Sequence, residues 1–319
     1  TLLIGTIFGT VTSYIPEGNV FHSFFMNMTT YAKGATGVVL GIAIANALKA
    51  PPLVLLSAGV VGMCANALPF VYLEKAITAG PAGAFVCVLI AVEIGKLVSK
   101  ATKVDIIVTP AVTIGTGVLI AMLLCPAIAF LMYWLGYFIN YATDMAPVIM
   151  GILLSVIVGM VLTLPISSAA ICSMIGITGI AGGAAAVGCC AQMVGFAVIS
   201  FRENKWSGLV AQGLGTSMLQ MGNIVKNPFV WIPATLAAAI TGPLSTCVFK
   251  LECTGVSAGM GTCGLVGPMG IFADMGFTAM SVLGVILLCV VLPAVLSLIF
   301  SELMRKFGLI RKDDLKLEL

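Results

Sequence analysis

Charge is the scarcest thing in this chain. Only 8% of its 319 residues are Asp, Glu, Lys or Arg, where soluble domains carry about 25%. From Met145 to Phe201 no side chain ionises except the thiols of Cys172, Cys189 and Cys190. That run far exceeds the ~20 residues a helix needs to cross a bilayer. The scarcity excludes a soluble domain. With 60% apolar residues and a mean hydropathy of +1.17, it predicts an all-α, polytopic helical membrane protein in contact with lipid. The short alternating segments of a transmembrane β-barrel are missing. Histidine is limited to His22, in the stretch HSFFMNMTTY, which reads as interfacial. One imidazole gives no basis for a His-built metal cluster, and no Ser/His/Asp arrangement or carboxylate pair stands out. No metal, no cofactor and no autonomous catalytic site are therefore expected. A basic, aromatic-interleaved groove is also lacking, so nucleic acid is not an expected partner. The chain opens apolar at Thr1, without Met and without a signal-peptide pattern, so removal of preceding sequence is expected.

Cysteine is plentiful, at ten residues. Most lie inside apolar runs, where they act as small packing residues. Cys247, Cys253 and Cys263 stand near loops, at spacings that no zinc pattern uses. Basic residues gather at Lys96, Lys100 and Lys103, at Arg202 and Lys205, and at Arg305, Lys306, Arg311 and Lys312. The last group is expected on the cytoplasmic side. Glu93 and Lys96 are one turn apart and able to pair.

Against this apolar background one polar stripe stands out. Positions 206–226 read WSGLVAQGLGTSMLQMGNIVK. Wound as a helix, Gln212, Thr216, Gln220, Asn223 and Asn227 fall within about an 80° arc. Amides and hydroxyls in hydrocarbon cost free energy unless something hydrogen-bonds them. The stripe therefore needs a partner: water, a bound polar molecule, or another helix that it glues in place.

Apolar stretches between Leu2 and Phe300 predict nine or ten spans, one of them over positions 208–225. The chain also reads as duplicated. Gly37, Leu40, Leu48, Pro51 and Gly62 align with Gly151, Leu154, Leu162, Pro165 and Gly176, and AGPAGAFVC (79–87) with AGGAAAVGC (181–189). A first membrane repeat is placed at 1–115 and a second at 116–300, with a ligand-binding region at 206–270. Residues 301–319 form a charged amphipathic tail. A proline in mid-run followed by a Gly/Ala-rich stretch predicts a broken or re-entrant helix in each copy, with tight small-residue packing as the alternative.

Gly259, Gly261 and Gly264 match GxGxxG, but no βαβ unit surrounds them, so a nucleotide is not expected. The fuller stretch GVSAGMGTCGLVGPMG (255–270) reads as a re-entrant loop with backbone amides on offer, or as a flexible connection. Lys250 and Glu252 interrupt the apolar run before it. Buried in the membrane they would mark a site, and the carboxylate is a strong acceptor for sugar hydroxyls. At a loop tip in water they would be ordinary.

The segments AQGLGTSMLQ, KNPFVWIPATLAAAITGPLSTCVFKLECTG and AGMGTCGLVGPMG resemble the second family of phosphotransferase-system EIIC-like membrane proteins, whose clostridial members are described as perfringolysin regulators. The resemblance implies a permease domain in the bacterial cytoplasmic membrane that binds a carbohydrate or other small polar solute and carries it inward. It implies a homodimer, and a separate EIIB-type protein as the phosphoryl source, since no EIIA or EIIB segment and no phosphocysteine or phosphohistidine loop is found. Gln212, Thr216, Gln220, Asn223, Lys226, Asn227, Lys250 and Glu252 fall in its motif-rich region and are the expected ligand contacts. The regulator description leaves a second expectation: a non-transporting receptor built on the same fold, signalling through the tail.

Overall fold

The computed structural model describes residues 2–12, 15–72, 75–164 and 167–317. Pro165, the second proline of the expected repeat, lies outside them. The chain divides into two units, residues 1–136 and 137–319.

In the first unit, α1 (Leu2–Thr12), α2 (Val20–Gly34), α3 (Thr36–Ala47) and α4 (Pro52–Ala67) precede a hairpin of β1 (Pro69–Tyr72) and β2 (Lys75–Thr78). Then come α5 (Gly80–Val98) and most of α6 (Asp105–Met145). Asn19 starts α2 by accepting from the Phe21 amide at 3.0 Å, and Pro52 occupies the first turn of α4, where its missing N–H costs nothing. The apolar run 53–72 does not stay helical to its end. Pro69 cannot donate to a further turn, and residues 69–72 instead pair antiparallel with 75–78, Phe70 opposite Ile77. The apolar stretches 106–124 and 127–139 lie in one helix, with Pro110 and Pro126 inside it. The core joins Val54, Ala58 and Val61 of α4 to Cys87, Val88 and Ala91 of α5. Lys96 and Glu93 pair at 2.7 Å on an exposed face of α5, as their spacing predicts.

The second unit holds α7 (Pro147–Thr163), α8 (Ser168–Ile175), α9 (Gly179–Ile199), α10 (Phe201–Val210), α11 (Met221–Lys226), α12 (Ile232–Pro243), α13 (Val266–Met275), α14 (Ala279–Gly284) and α15 (Leu292–Lys306). Helix α9 is its axis, with every residue from Ala181 to Met193 buried. Small side chains make this possible. Gly188 meets the backbone of Ser155 on α7, and Gly195 meets Ser297 of α15 and Ala234 of α12. Close backbone approach is how apolar helices gain contact without a hydrophobic driving force.

Among the described residues, five helical segments are long and apolar enough to cross a membrane: Gly80–Val98, Asp105–Met145, Gly179–Ile199, Pro228–Phe249 and Ala279–Lys306. A sixth results if α2 and α3, bent by 41°, count as one span. Pro52–Ala67, Pro147–Thr163 and Cys263–Met275 are shorter apolar helices. The molecule is an all-α, multi-pass membrane protein. The aligned stretches 79–87 and 181–189 both fall on helices, entering α5 and inside α9, of which only α9 is buried along most of its length. The aligned glycines differ in use. Gly62 packs on the Gly37 carbonyl, whereas Gly176 is the left-handed cap of α8 at φ +69°.

Candidate functional site

The stripe is not one regular helix, which corrects the span expected over 208–225. Gly213 and Gly215 weaken helical order. A π-helical turn over Ala211–Gly215 ends at Thr216, whose backbone is extended (φ −159°, ψ 141°). The Thr216 hydroxyl accepts from the Met218 amide at 3.1 Å and so caps the 3-10 turn Ser217–Gln220, as Thr does at helix starts. Helix α11 follows, and Asn227 caps the next turn through Phe229 N at 3.2 Å. Thr216 is thereby spent on local structure and leaves the row.

The four amides of the stripe remain together. Gln212 Nε2 donates to Ser200 Oγ at 2.8 Å and to Gly208 O at 3.1 Å. Gln220 Nε2 donates to Gln212 Oε1 at 2.9 Å, and Asn223 Nδ2 to Gln220 Oε1 at 2.7 Å. The oxygens of Gln212 and Gln220 thus each receive the next amide's nitrogen. The remaining donors reach the C-terminal segment. Gln220 bonds Leu315 O (3.1 Å), Asn223 bonds Lys316 O (2.9 Å), and Asn227 bonds Leu309 O (2.9 Å) and Asp314 Oδ2 (2.7 Å). Both N–H groups of every stripe amide are used. Gln212 and Gln220 are fully buried, where an unpaired amide would cost about 1–3 kcal/mol.

The sequence pattern did not disclose this partner, nor Asn204, which completes it. Asn204 Nδ2 donates to Leu315 O at 2.7 Å, and Leu317 N donates to Asn204 Oδ1 at 2.8 Å. Ile310 and Leu315 are buried with Phe196, Ile199 and Ile224. The only hint in the sequence is apolar residues interrupting the charged tail.

Lys250 and Glu252 lie elsewhere. Lys250 ends the π-helical turn Leu244–Phe249 in a left-handed conformation, φ 45°, unfavourable for a residue with a Cβ. The chain leaves it extended. Cys253 N bonds Gly179 O at 3.1 Å and Gly255 N bonds Ile177 O at 3.0 Å, fixing residues 251–255 against the start of α9. Leu251 and Cys253 are buried, while Lys250, Glu252 and Thr254 are exposed. This is the alternation of a strand with one covered face. Gly182 and Gly183 make the seat: a Cβ on either would overlap the carbonyl of Cys253 or of Leu251. Neither Lys250 nor Glu252 forms an ion pair among the described residues. At the same end, Asn140 bonds Thr178 Oγ1 at 3.3 Å and Gly176 O at 3.4 Å.

From there the glycine-rich loop turns back along α9. Ser168 Oγ donates to Gly259 O at 2.6 Å. Gly261, φ +55°, sits against Cys189 with no room for a side chain. Thr262 Oγ1 donates to Gly213 O at 2.6 Å, and Thr163 and Ser217 hydroxyls meet at 2.9 Å. Cys189 is about 15 Å along α9 from Gly179 at 1.5 Å per residue. The loop packs along α9 and is buried over Ser257–Gly259.

The expected ligand contacts therefore form two groups. Gln212 bonds to Ser200 at the end of α9, and Glu252 is held near Gly179 at its start. The 21 residues of α9 separate the groups by roughly 30 Å, about the hydrocarbon thickness of a bilayer. Lys226 belongs with the stripe and is exposed.

A family model described as "Phosphotransferase system, EIIC", of the second EIIC family, matches residues 1–317. No curated protein and no solved structure matches the chain.

Proposed function

The chain belongs to the phosphotransferase-system EIIC family and is a sugar-permease component of the membrane, and from that premise we propose that it binds a carbohydrate or related small polar solute and carries it across the bacterial cytoplasmic membrane by alternating access. The observation that carries this reading is the glycine-rich loop. It begins beside a carboxylate with no partner among the described residues, Glu252, and runs inward along α9 to Cys189. A carboxylate accepts hydrogen bonds from sugar hydroxyls, and Lys250 adds a donor beside it. We place the solute contact there. The stripe amides are assigned to docking the C-terminal segment, to which Gln220, Asn223 and Asn227 are bonded and Gln212 is linked through Gln220. Glycine at 261 and 264, both at positive φ, supplies the backbone freedom a moving loop needs. Phosphoryl transfer falls to a separate EIIB-type partner, and a homodimer in the membrane, with the C-terminus cytoplasmic, belongs to the same proposal.

Uptake by proteoliposomes tests this, with a panel of sugars and with or without an EIIB partner. Uptake of at least one sugar is expected. None across the panel under either condition contradicts transport. Native mass measurement in mild detergent checks the dimer, and a monomer alone contradicts it.

A second reading has its own support in the docked tail. A receptor that does not transport would pass ligand binding to a cytoplasmic partner through residues 309–317, which six hydrogen bonds to body side chains hold, four from the stripe and two at Asn204. Deletion from Phe307 onward is then expected to abolish signalling and spare solute binding. Signalling that survives the deletion contradicts it.

A further inference from the structure

Two polar clefts adjoin where the C-terminal segment crosses the stripe. One, about 350 Å³, has Lys226, Asn227 and Phe229 on the side of the body and Leu309, Arg311 and Asp314 on the side of the tail. The other, about 260 Å³, shares Lys226, Asn227 and Asp314 and adds Lys316 and Asp313. Lys226 thus borders both.

The charges in the larger cleft do not cancel. The ion pairs among the described residues are Lys96–Glu93, Arg202–Glu302 and Arg305–Glu203, so among these residues no carboxylate is bound to Lys226 or Arg311. The one acid there is already engaged. Asp314 Oδ2 accepts from Asn227 Nδ2 at 2.7 Å and from the Arg311 backbone N at 2.8 Å. Two cations from opposite walls, facing one carboxylate that already has donors, favour an anion between them. A phosphate group suits this arrangement because its several acceptor oxygens can take an ammonium and a planar guanidinium at once.

We propose that the cleft between Lys226 and Arg311 binds a phosphate group, and that the bound group fastens the C-terminal segment to the body. Lys226 belongs to α11 and Arg311 to the tail, so the site is complete only while the tail is docked. Binding and docking must then favour each other. The phosphate has two possible sources. Phe229 and Phe307, 45% and 72% exposed, flank the basic residues as in segments that meet anionic lipid headgroups. A soluble phosphate ester would present the same group.

Amide hydrogen exchange over residues 309–317 reads this out on the full chain in lipid nanodiscs. In one arm the lipid is phosphatidylcholine and inorganic phosphate replaces chloride at equal ionic strength. In the other, phosphatidylglycerol is mixed into the disc. Exchange is expected to slow in at least one arm, about tenfold when the ligand stands at ten times its Kd. Slowing with phosphate identifies a soluble source, and slowing confined to phosphatidylglycerol identifies a headgroup. Lys226→Gln and Arg311→Gln, both at exposed side chains, are each expected to remove the effect while thermal unfolding stays unchanged. Asp314→Asn is expected to tighten phosphate binding by removing the like charge. No slowing in either arm overturns the proposal, and so does slowing that survives either glutamine variant. These outcomes do not depend on sugar uptake, so failure here leaves the transport reading to its own test.

Discussion

Asn204 and Leu315 lie 111 residues apart in the chain and are joined by a 2.7 Å hydrogen bond from the Asn204 amide to the Leu315 carbonyl. Leu317 N returns a bond to the same side chain at 2.8 Å. One amide thus reads the backbone on both sides of Lys316, and the Leu315 side chain is fully buried between these contacts. The charged C-terminal segment is part of the folded body.

Replacing Leu315 with Ala tests this directly. A buried Leu→Ala change costs about 2–5 kcal/mol. The loss is expected to fall on tail docking, so protease cleavage within residues 307–317 should accelerate while α9 stays protected. Unchanged cleavage would mean that Leu315 does not anchor the tail.

Asn204→Leu is the polar counterpart. It removes the donor to Leu315 O and the acceptor for Leu317 N together, at about 1 kcal/mol for each hydrogen bond. Hydrogen exchange at the Leu317 amide should rise by roughly tenfold or more for each 1.4 kcal/mol lost. An amide as protected as before would exclude the Asn204 contact.

Close packing at the start of α9 gives a third expectation. The Cβ of an alanine at Gly183 would overlap the Leu251 carbonyl, and at Gly182 the Cys253 carbonyl. Each substitution is expected to lower stability by about 1–3 kcal/mol and to loosen the loop that bears Glu252. Gly215→Ala, with open space around it, is the control and should change little. Equal melting temperatures for all three variants would contradict the close approach.

Much of this was legible in the residues. The uncharged run from Met145 to Phe201 marked membrane-embedded helices, but not that α9 is one unbroken, buried helix, because its Gly/Ala-rich start suits a break as well as the close packing found there. Glycines at 255–270 marked a loop in close backbone contact with its surroundings, because no βαβ unit surrounds them and their spacing suits such contact. The stripe announced that its amides need partners. It could not say which, because the tail follows no helical or alternating period that pairs it with Gln220 or Asn223. Thr216 was read on the same face because a uniform 100° step was assumed. Gly213 and Gly215 break that step, and the Thr216 hydroxyl turns to Met218 N. The separation of Glu252 from the stripe was hidden as well. Nearness in sequence suggested one site, whereas the chain crosses α12 between them and arrives at the other end of α9.

The most direct measurement is solute binding and thermal stability, made side by side on Glu252→Gln and Gln220→Leu with a sugar that the wild type takes up. The account predicts that Glu252→Gln keeps its melting temperature and loses affinity by about 10- to 100-fold, the worth of a charged hydrogen bond. Gln220→Leu should bind the sugar normally and lose about 1–3 kcal/mol of stability, because Gln212 Oε1 loses its donor, Asn223 Nδ2 loses an acceptor, and Leu315 O keeps only the bond from Asn204. The reverse result, with binding lost in Gln220→Leu at full stability and kept in Glu252→Gln, would move the solute to the stripe and contradict the account.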